Sequence, residues 1–149
     1  MNSKEIRLIS GYGPHETWQL DKRMLFFSAL ESEFTRAILA GKSIMICFDA
    51  NSKMSQQYIP GDPHVISENG KILEGILNRN ALIVVNGIIE KSTGVITRSR
   101  TTKDGEEKSA IDLFILSSDM VTNLQQIIID EDKKFALESI TKTKKGFII

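Results

Sequence analysis

Three short segments of this chain are apolar on both of the faces that a β-strand presents. In residues 43–48, Ile44, Ile46 and Phe48 alternate with Met45 and Cys47. Residues 82–85 are apolar throughout, and within 109–116 Ile111, Leu113 and Ile115 alternate with Phe114 and Leu116. Successive side chains of a strand point to opposite faces, so strands of this kind are stable only where both faces are covered. The segments therefore predict a mixed α/β sheet lying inside a layered domain.

Two helices are available to cover it. Asp21 is placed to cap a segment in which Met24, Phe27, Leu30, Phe34, Ala37 and Ile38 recur at helical spacing, and Gly41 stops it. The opposite side of that helix, with Lys22, Arg23, Glu31, Glu33 and Arg36, reads as solvated. Asn69 is placed to cap a second helix with Ile72, Leu73, Ile76 and Leu77 inward, ending near Asn80. Two helices can cover one face of a sheet. The sequence offers no equivalent cover for the other face, which points to a larger unit. The remaining elements are a strand at 6–9 running into Gly11-Tyr12-Gly13-Pro14, a strand at 95–101, a turn at Asp104-Gly105 with 109–116 as the returning strand, and a strand at 124–129. From Lys133 onward no period dominates, and Lys142, Lys144 and Lys145 read as a solvated basic tail.

The whole chain, residues 1–149, reads as one domain, since no Pro- or Ser-rich linker interrupts it. Lys+Arg and Asp+Glu are 19 each, so the formal net charge is zero. That balance excludes bulk attraction to nucleic acid, and any such function must rest on a local site. The single cysteine, Cys47, excludes an internal disulfide and fits a reducing, intracellular (nuclear or cytoplasmic) setting. Its place in an apolar strand predicts a buried, inert thiol. Residues 1–7 lack the apolar core of a signal peptide, and no run approaches the ~18 apolar residues of a membrane span, so no membrane partner is expected.

Polar residues at the ends of these strands are where chemistry could sit. Asp49 and Asn51 follow the strand at 43–48, two residues apart, a pairing suited to a metal, a water or a phosphate. Asp and Asn also favour turns, and an ordinary turn after a strand accounts for them equally well. Asp112 lies within an apolar strand, where a carboxylate either faces water at an edge or is held there to orient a histidine or a metal-bound water. Tyr12 closes the first strand, and Arg98, Arg100 and Lys103 make a basic patch on the expected hairpin, able to meet a nucleic-acid backbone or simply solvent. His15 and His64, the only histidines, read as loop residues.

Three strand ends thus present, in order, Tyr12, Asp49-x-Asn51 and Ser109-Ala110-Ile111-Asp112. In this ordered set the sequence resembles the endonuclease/exonuclease/phosphatase superfamily of deoxyribonuclease I-like enzymes, most of all its retroelement-type endonuclease branch. The resemblance covers nearly the whole chain and corresponds to the C-terminal half of that domain. It implies a partial four-layer αββα sandwich, one mixed sheet with two main helices on one face, and Mg²⁺-dependent phosphodiester hydrolysis on nucleic acid.

By the same resemblance Tyr12 helps hold the scissile phosphate, Asp49 helps activate the attacking water and Asn51 orients phosphate or nucleophile. Thr97 and Ser109 match substrate-side positions, and Asp112 matches the carboxylate that hydrogen-bonds a catalytic histidine. Arg98 and Arg100, read from the residues and not from the resemblance, are the candidate backbone contacts beside them. Phe48 stands where the family has glycine, and the family's metal-binding Glu and its Ser-Asp-His segment have no counterpart among the 149 residues. No complete metal site is therefore expected, and loss of one member of a catalytic unit can abolish its activity. The implied partners are nucleic acid and either a missing N-terminal half or a second copy on the uncovered sheet face. The alternatives are a non-catalytic protein-interaction module, and a phosphatase acting on a phosphoinositide or a nucleotide.

Overall fold

The segments that are apolar on both sides come together in one four-stranded sheet. In the computed structural model, which describes residues 4–129 and 131, strands β1 (Ile6–Tyr12), β2 (Ser43–Asp49), β3 (Leu82–Val84) and β7 (Asp112–Ser117) lie in the order β1-β2-β7-β3. β1 runs parallel to β2, while β7 runs antiparallel to both β2 and β3. Helix α1 (Leu20–Leu39) makes the crossover from β1 to β2, and α2 (Glu68–Arg79) leads from β2 to β3, leaving the gap that β7 fills.

The two helices form one covering layer. Phe27, Leu30, Phe34 and Ala37 of α1 and Leu73, Ile76 and Leu77 of α2 share a core with Ile44, Ile46, Phe48, Leu82, Val84, Leu113 and Ile115 of the sheet. Phe34, Ile44, Ile46, Leu73 and Ile115 are completely buried. Each such side chain contributes about 1.5–3 kcal/mol of transfer free energy, so this layer dominates the stability of the chain.

Helix ends explain several differences from the sequence reading. α1 closes as expected at Gly41, whose φ of +70° suits the left-handed turn. There the amide of Gly41 donates to the Ile38 carbonyl (2.9 Å) and that of Lys42 to the Ala37 carbonyl (3.0 Å). At its start the cap is Gln19, without a side-chain bond, and Asp21 lies inside the first turn, where it complements the helix dipole. Met24 and Ile38 are exposed, while Arg23 is buried and donates through Nη1 to Oδ1 of Asn69 (2.8 Å). The cap of α2 is Ser67, whose hydroxyl accepts from the Gly70 amide (3.1 Å). Asn69 is instead buried, its Nδ2 donating to the Pro14 carbonyl (2.7 Å).

The expected hairpin is shorter than the sequence suggested. β5 (Arg98–Thr102) pairs with β6 (Gly105–Ser109) as a separate two-stranded arm, and β7 begins only after it. The strand at 124–129 is reduced to β8 (Ile127–Ile128), parallel to β4 (Ser92–Thr93). A single 3₁₀ turn follows β3 at Val85–Gly87, and a short helix α3 (Ser118–Val121) follows β7. Residues from 132 onward, with the basic tail, lie outside the described residues.

Register divides the sheet into unequal faces. Residues paired across strands share a face, which places Leu8, Ser10 and Tyr12 of β1, Met45, Cys47 and Asp49 of β2, and Asp112, Phe114 and Leu116 of β7 opposite the helices. Leu8 is 64% exposed and Tyr12 57%. Cys47 is exposed as well, where a buried thiol was expected. Partial desolvation still holds the Cys47 thiol above its ordinary pKa. Among the described residues the face is closed at the end beside α3, where Leu116 is buried.

Candidate functional site

The open face collects three of the sequence-derived residues on one row. Tyr12 pairs with Asp49 in the parallel register of β1 and β2, and Asp49 pairs with Asp112 in the antiparallel register of β2 and β7. Cross-strand partners stand about 4.5–5.5 Å apart at their Cβ atoms. Tyr12, Asp49 and Asp112 therefore lie side by side although 37 and 63 residues of sequence separate them. Below the row the same face turns apolar, through Cys47, Phe114 and Leu8.

Close backbone contacts lock the strand ends. The Gly13 amide donates to the Asp49 carbonyl (2.6 Å) and the Ala50 amide to the Ile111 carbonyl (2.7 Å). A side chain at position 13 could not be fitted, since a Cβ there would lie 2.4 Å from the Ala50 carbonyl oxygen. Asn51 is left-handed (φ +45°), a conformation Asn tolerates better than most residues. The strand alternation therefore stops at Asp49, and Asn51 does not simply share its side. Its amide donates to Oδ1 of Asp49 (3.0 Å), and its Nδ2 donates to the Gly13 carbonyl (2.9 Å). Asn51 thus ties together the segments that leave β1 and β2, just beyond the row.

Asp112 is held from its other side by two residues. The hydroxyl oxygen of Thr97 accepts from the amides of both Ile111 and Asp112 (3.0 Å each). Asn86, 3% exposed, takes the place of a strand partner where β3 has ended. Its Nδ2 donates to the Asp112 carbonyl (3.0 Å), and its Oδ1 accepts from the Phe114 amide (2.7 Å). The sequence reading assigns Asn86 no role. A buried asparagine directly after a strand is the signal that could have found it.

Ser109 is buried at the base of the hairpin, opposite Arg98, away from the row. Arg100 is bound to Glu107, which also receives Lys53 (3.1 Å). Lys53 and then Arg100 hold the Glu107 carboxyl down to about 2. The hairpin patch is accordingly neutralised at its centre. Arg98, next to Thr97, is half-buried and makes no ion pair among the described residues.

A trough of about 570 Å³ opens at the Asp49 and Asp112 end of the row, and Tyr12 is not among the residues that line it. Asp49, Asn86, Thr97 and Asp112 line its polar end, and Cys47, Phe114 and the segment Ile127 to Ile129 its apolar wall. Asp49 and Asp112 are cross-strand partners on this face, with no ion pair to either among the described residues. Like charges directly opposite on a sheet repel, so the row favours a cation between them. Mg²⁺ is commonly held by one or two carboxylates completed by water and substrate phosphate, and the pair fits that partial coordination. Among the described residues no group of three or more His, Cys, Asp and Glu side chains forms a closed cage. Neither histidine hydrogen-bonds Asp112. His64 lies in a loop anchored by buried Asp62, and the ring of His15 meets Tyr12, Nε2 to hydroxyl, at 2.7 Å.

No family model and no curated protein matches the chain. Among solved structures, the endonuclease domain of TRAS1, a telomere-specific non-LTR retrotransposon, is similar over 64% of this chain, with 19% identity and a TM-score of 0.47. The matched region spans 41% of that chain's own length. No helix among the described residues is long and apolar enough to cross a membrane.

Proposed function

We propose that this chain carries one side of a Mg²⁺-dependent phosphodiesterase site, of the kind used by retroelement-type endonucleases on nucleic acid. The observation that carries the reading is the single row Tyr12–Asp49–Asp112, assembled on an open sheet face from three separate strand ends. Asp49 and Asp112 would hold the ion, which when bound supplies charge neutralisation at the phosphate and a more acidic water. Asp49 is the base nearest to such a water, Tyr12 a hydrogen-bond donor to the phosphate, and Arg98 a cation beside it. Asn51 and Thr97 keep the row in register. A histidine on Asp112 is missing from the set, and in this reading a second layer packed on the open face supplies it together with the remaining metal carboxylate.

The reading makes the 149-residue chain alone a slow catalyst or none. A nicking assay on supercoiled plasmid with Mg²⁺ tests it, together with anisotropy of a labelled DNA duplex. The expected outcome is Mg²⁺-dependent binding that weakens in Asp49→Asn, with no more than trace nicking. Robust nicking that Asp49→Ala abolishes would overturn the half-site reading, and absence of any Mg²⁺-dependent binding would overturn the phosphodiester reading.

A second reading, a non-catalytic protein-interaction module, draws on the exposed Leu8, Tyr12 and Cys47 of the same face. Uncovered apolar sheet surface of this kind favours self-association or a partner layer. Light scattering after size exclusion separates the two: a dimer that Leu8→Lys dissociates, with no nucleic-acid binding, supports the module.

A further inference from the structure

Tyr12 stands on an edge strand, bonded on one side only and more than half exposed. A phenol in that position has little packing to fix its direction. The loop after it supplies what the strand does not. Gly13 is held against Asp49 and Ala50, the Pro14 carbonyl accepts from buried Asn69, and Oε1 of Glu16 accepts from the Asn69 amide (3.0 Å). His15 is therefore flanked by two residues tied to the first turn of α2, Pro14 through its carbonyl and Glu16 through its carboxylate. The His15 ring itself is exposed and stands edge-on to the Tyr12 ring, centroids 5.7 Å apart, with Nε2 at 2.7 Å from the phenol oxygen.

Resting on the phosphodiester reading above, we infer that His15 is a positioning residue for Tyr12, and that the pair meets a phosphate oxygen as one unit. The hydrogen bond admits either polarity, and the inferred arrangement has the imidazole as donor. With its proton on Nε2, His15 donates to the phenol oxygen, and the phenol hydrogen is left to donate to phosphate. The result is a relay from imidazole N–H to phenol to phosphate, in which each bond polarises the next. An exposed hydrogen bond adds little to stability, so the benefit of this rigidly delivered histidine lies in aiming the phenol along the row.

The test uses the full chain with Mg²⁺ and a single-stranded DNA tetranucleotide. With only two histidines, the ring-nitrogen NMR spectrum separates His15 from His64. The Nε2 signal of His15 should be that of a protonated nitrogen and should move in Tyr12→Phe. Tetranucleotide affinity should fall roughly fivefold in Tyr12→Phe and in His15→Ala, the loss of about one hydrogen bond, with no further loss in the double variant. His15→Gln, whose amide still donates, should recover most of it. An Nε2 signal unmoved by Tyr12→Phe, additive losses, or Ala and Gln variants alike at position 15 would each overturn the inference. A responsive ring signal in a chain that binds no tetranucleotide would keep the pair but remove the phosphate role along with the phosphodiester reading.

Discussion

The two faces of the four-stranded sheet are built from the same strands and differ in almost everything else. On one, Ile44, Ile46, Phe48, Leu113 and Ile115 are sealed under two helices. On the other, the alternate residues of those strands run from apolar Leu8 and Cys47 to the row of Tyr12, Asp49 and Asp112, and stay open. The difference teaches that stability and chemistry are allotted to opposite sides. A face that holds two unpaired carboxylates side by side contributes little to folding, and the covered face makes that arrangement tolerable.

The largest effect that would break this division is in the core. Phe34→Ala should cost about 3–5 kcal/mol, the range for truncating a buried phenylalanine, whereas Leu8→Ser on the open face should stay within about 0.5 kcal/mol. Chemical denaturation measures both, and equal losses would mean that the open face is covered in solution. Asn86→Ala comes next. It removes the partner of two β7 backbone groups, so a loss of about 1–3 kcal/mol is expected, with faster hydrogen exchange at the Phe114 amide. A smaller effect has the opposite sign. Asp112→Asn relieves the repulsion with Asp49 and should stabilise the chain by about 0.2–1 kcal/mol in the absence of divalent ions.

The smallest effect lies at the margins of the sheet and depends on pH. Glu107 is lowered to about 2 by Lys53 and Arg100, and Asp119 is lowered by Lys4, with Ser117 and Ser43 adding to it. Folded values below the unfolded ones mean that both contributions are complete above the ordinary carboxylate range, near pH 4. Both are lost as pH falls through the folded values. The Lys4 pair is solvent-exposed and the Lys53 pair of Glu107 only partly buried, so the change should be slight. Lys53→Met should flatten the acid limb of the stability curve, and an unchanged limb would remove Glu107 from the account.

Much of the covered face was legible in the sequence because a single period carries it. Phe27, Leu30, Phe34 and Ala37 repeat at helical spacing, and Gly41 marks where they stop. The two-sided strands were legible for the same reason. What could not be read was anything decided by a partner distant in sequence. Arg23 looks solvated until Asn69 of α2 reaches it, and Asn69 looks like a cap until Pro14 takes its amide. Cys47 looks buried because its strand is apolar, yet exposure depends on what packs above it. The row itself was half legible: its members could be named from strand ends, but their alignment depends on a pairing register that no local pattern specifies. Asn86 escaped notice because it acts on Asp112 and Phe114, which the fold and not its own neighbourhood brings near, whereas His15 read as a plain loop residue although its partner Tyr12 is only three positions away.

Titration of the chain with Mg²⁺, followed at the backbone amides, tests the central claim most directly. The account predicts that Tyr12, Asp49 and Asp112 shift together, that Glu68 and Glu31 on the helices do not, and that Asp112→Asn abolishes the response. Shifts spread evenly over surface carboxylates, or a row that stays still while another acidic site responds, would contradict it.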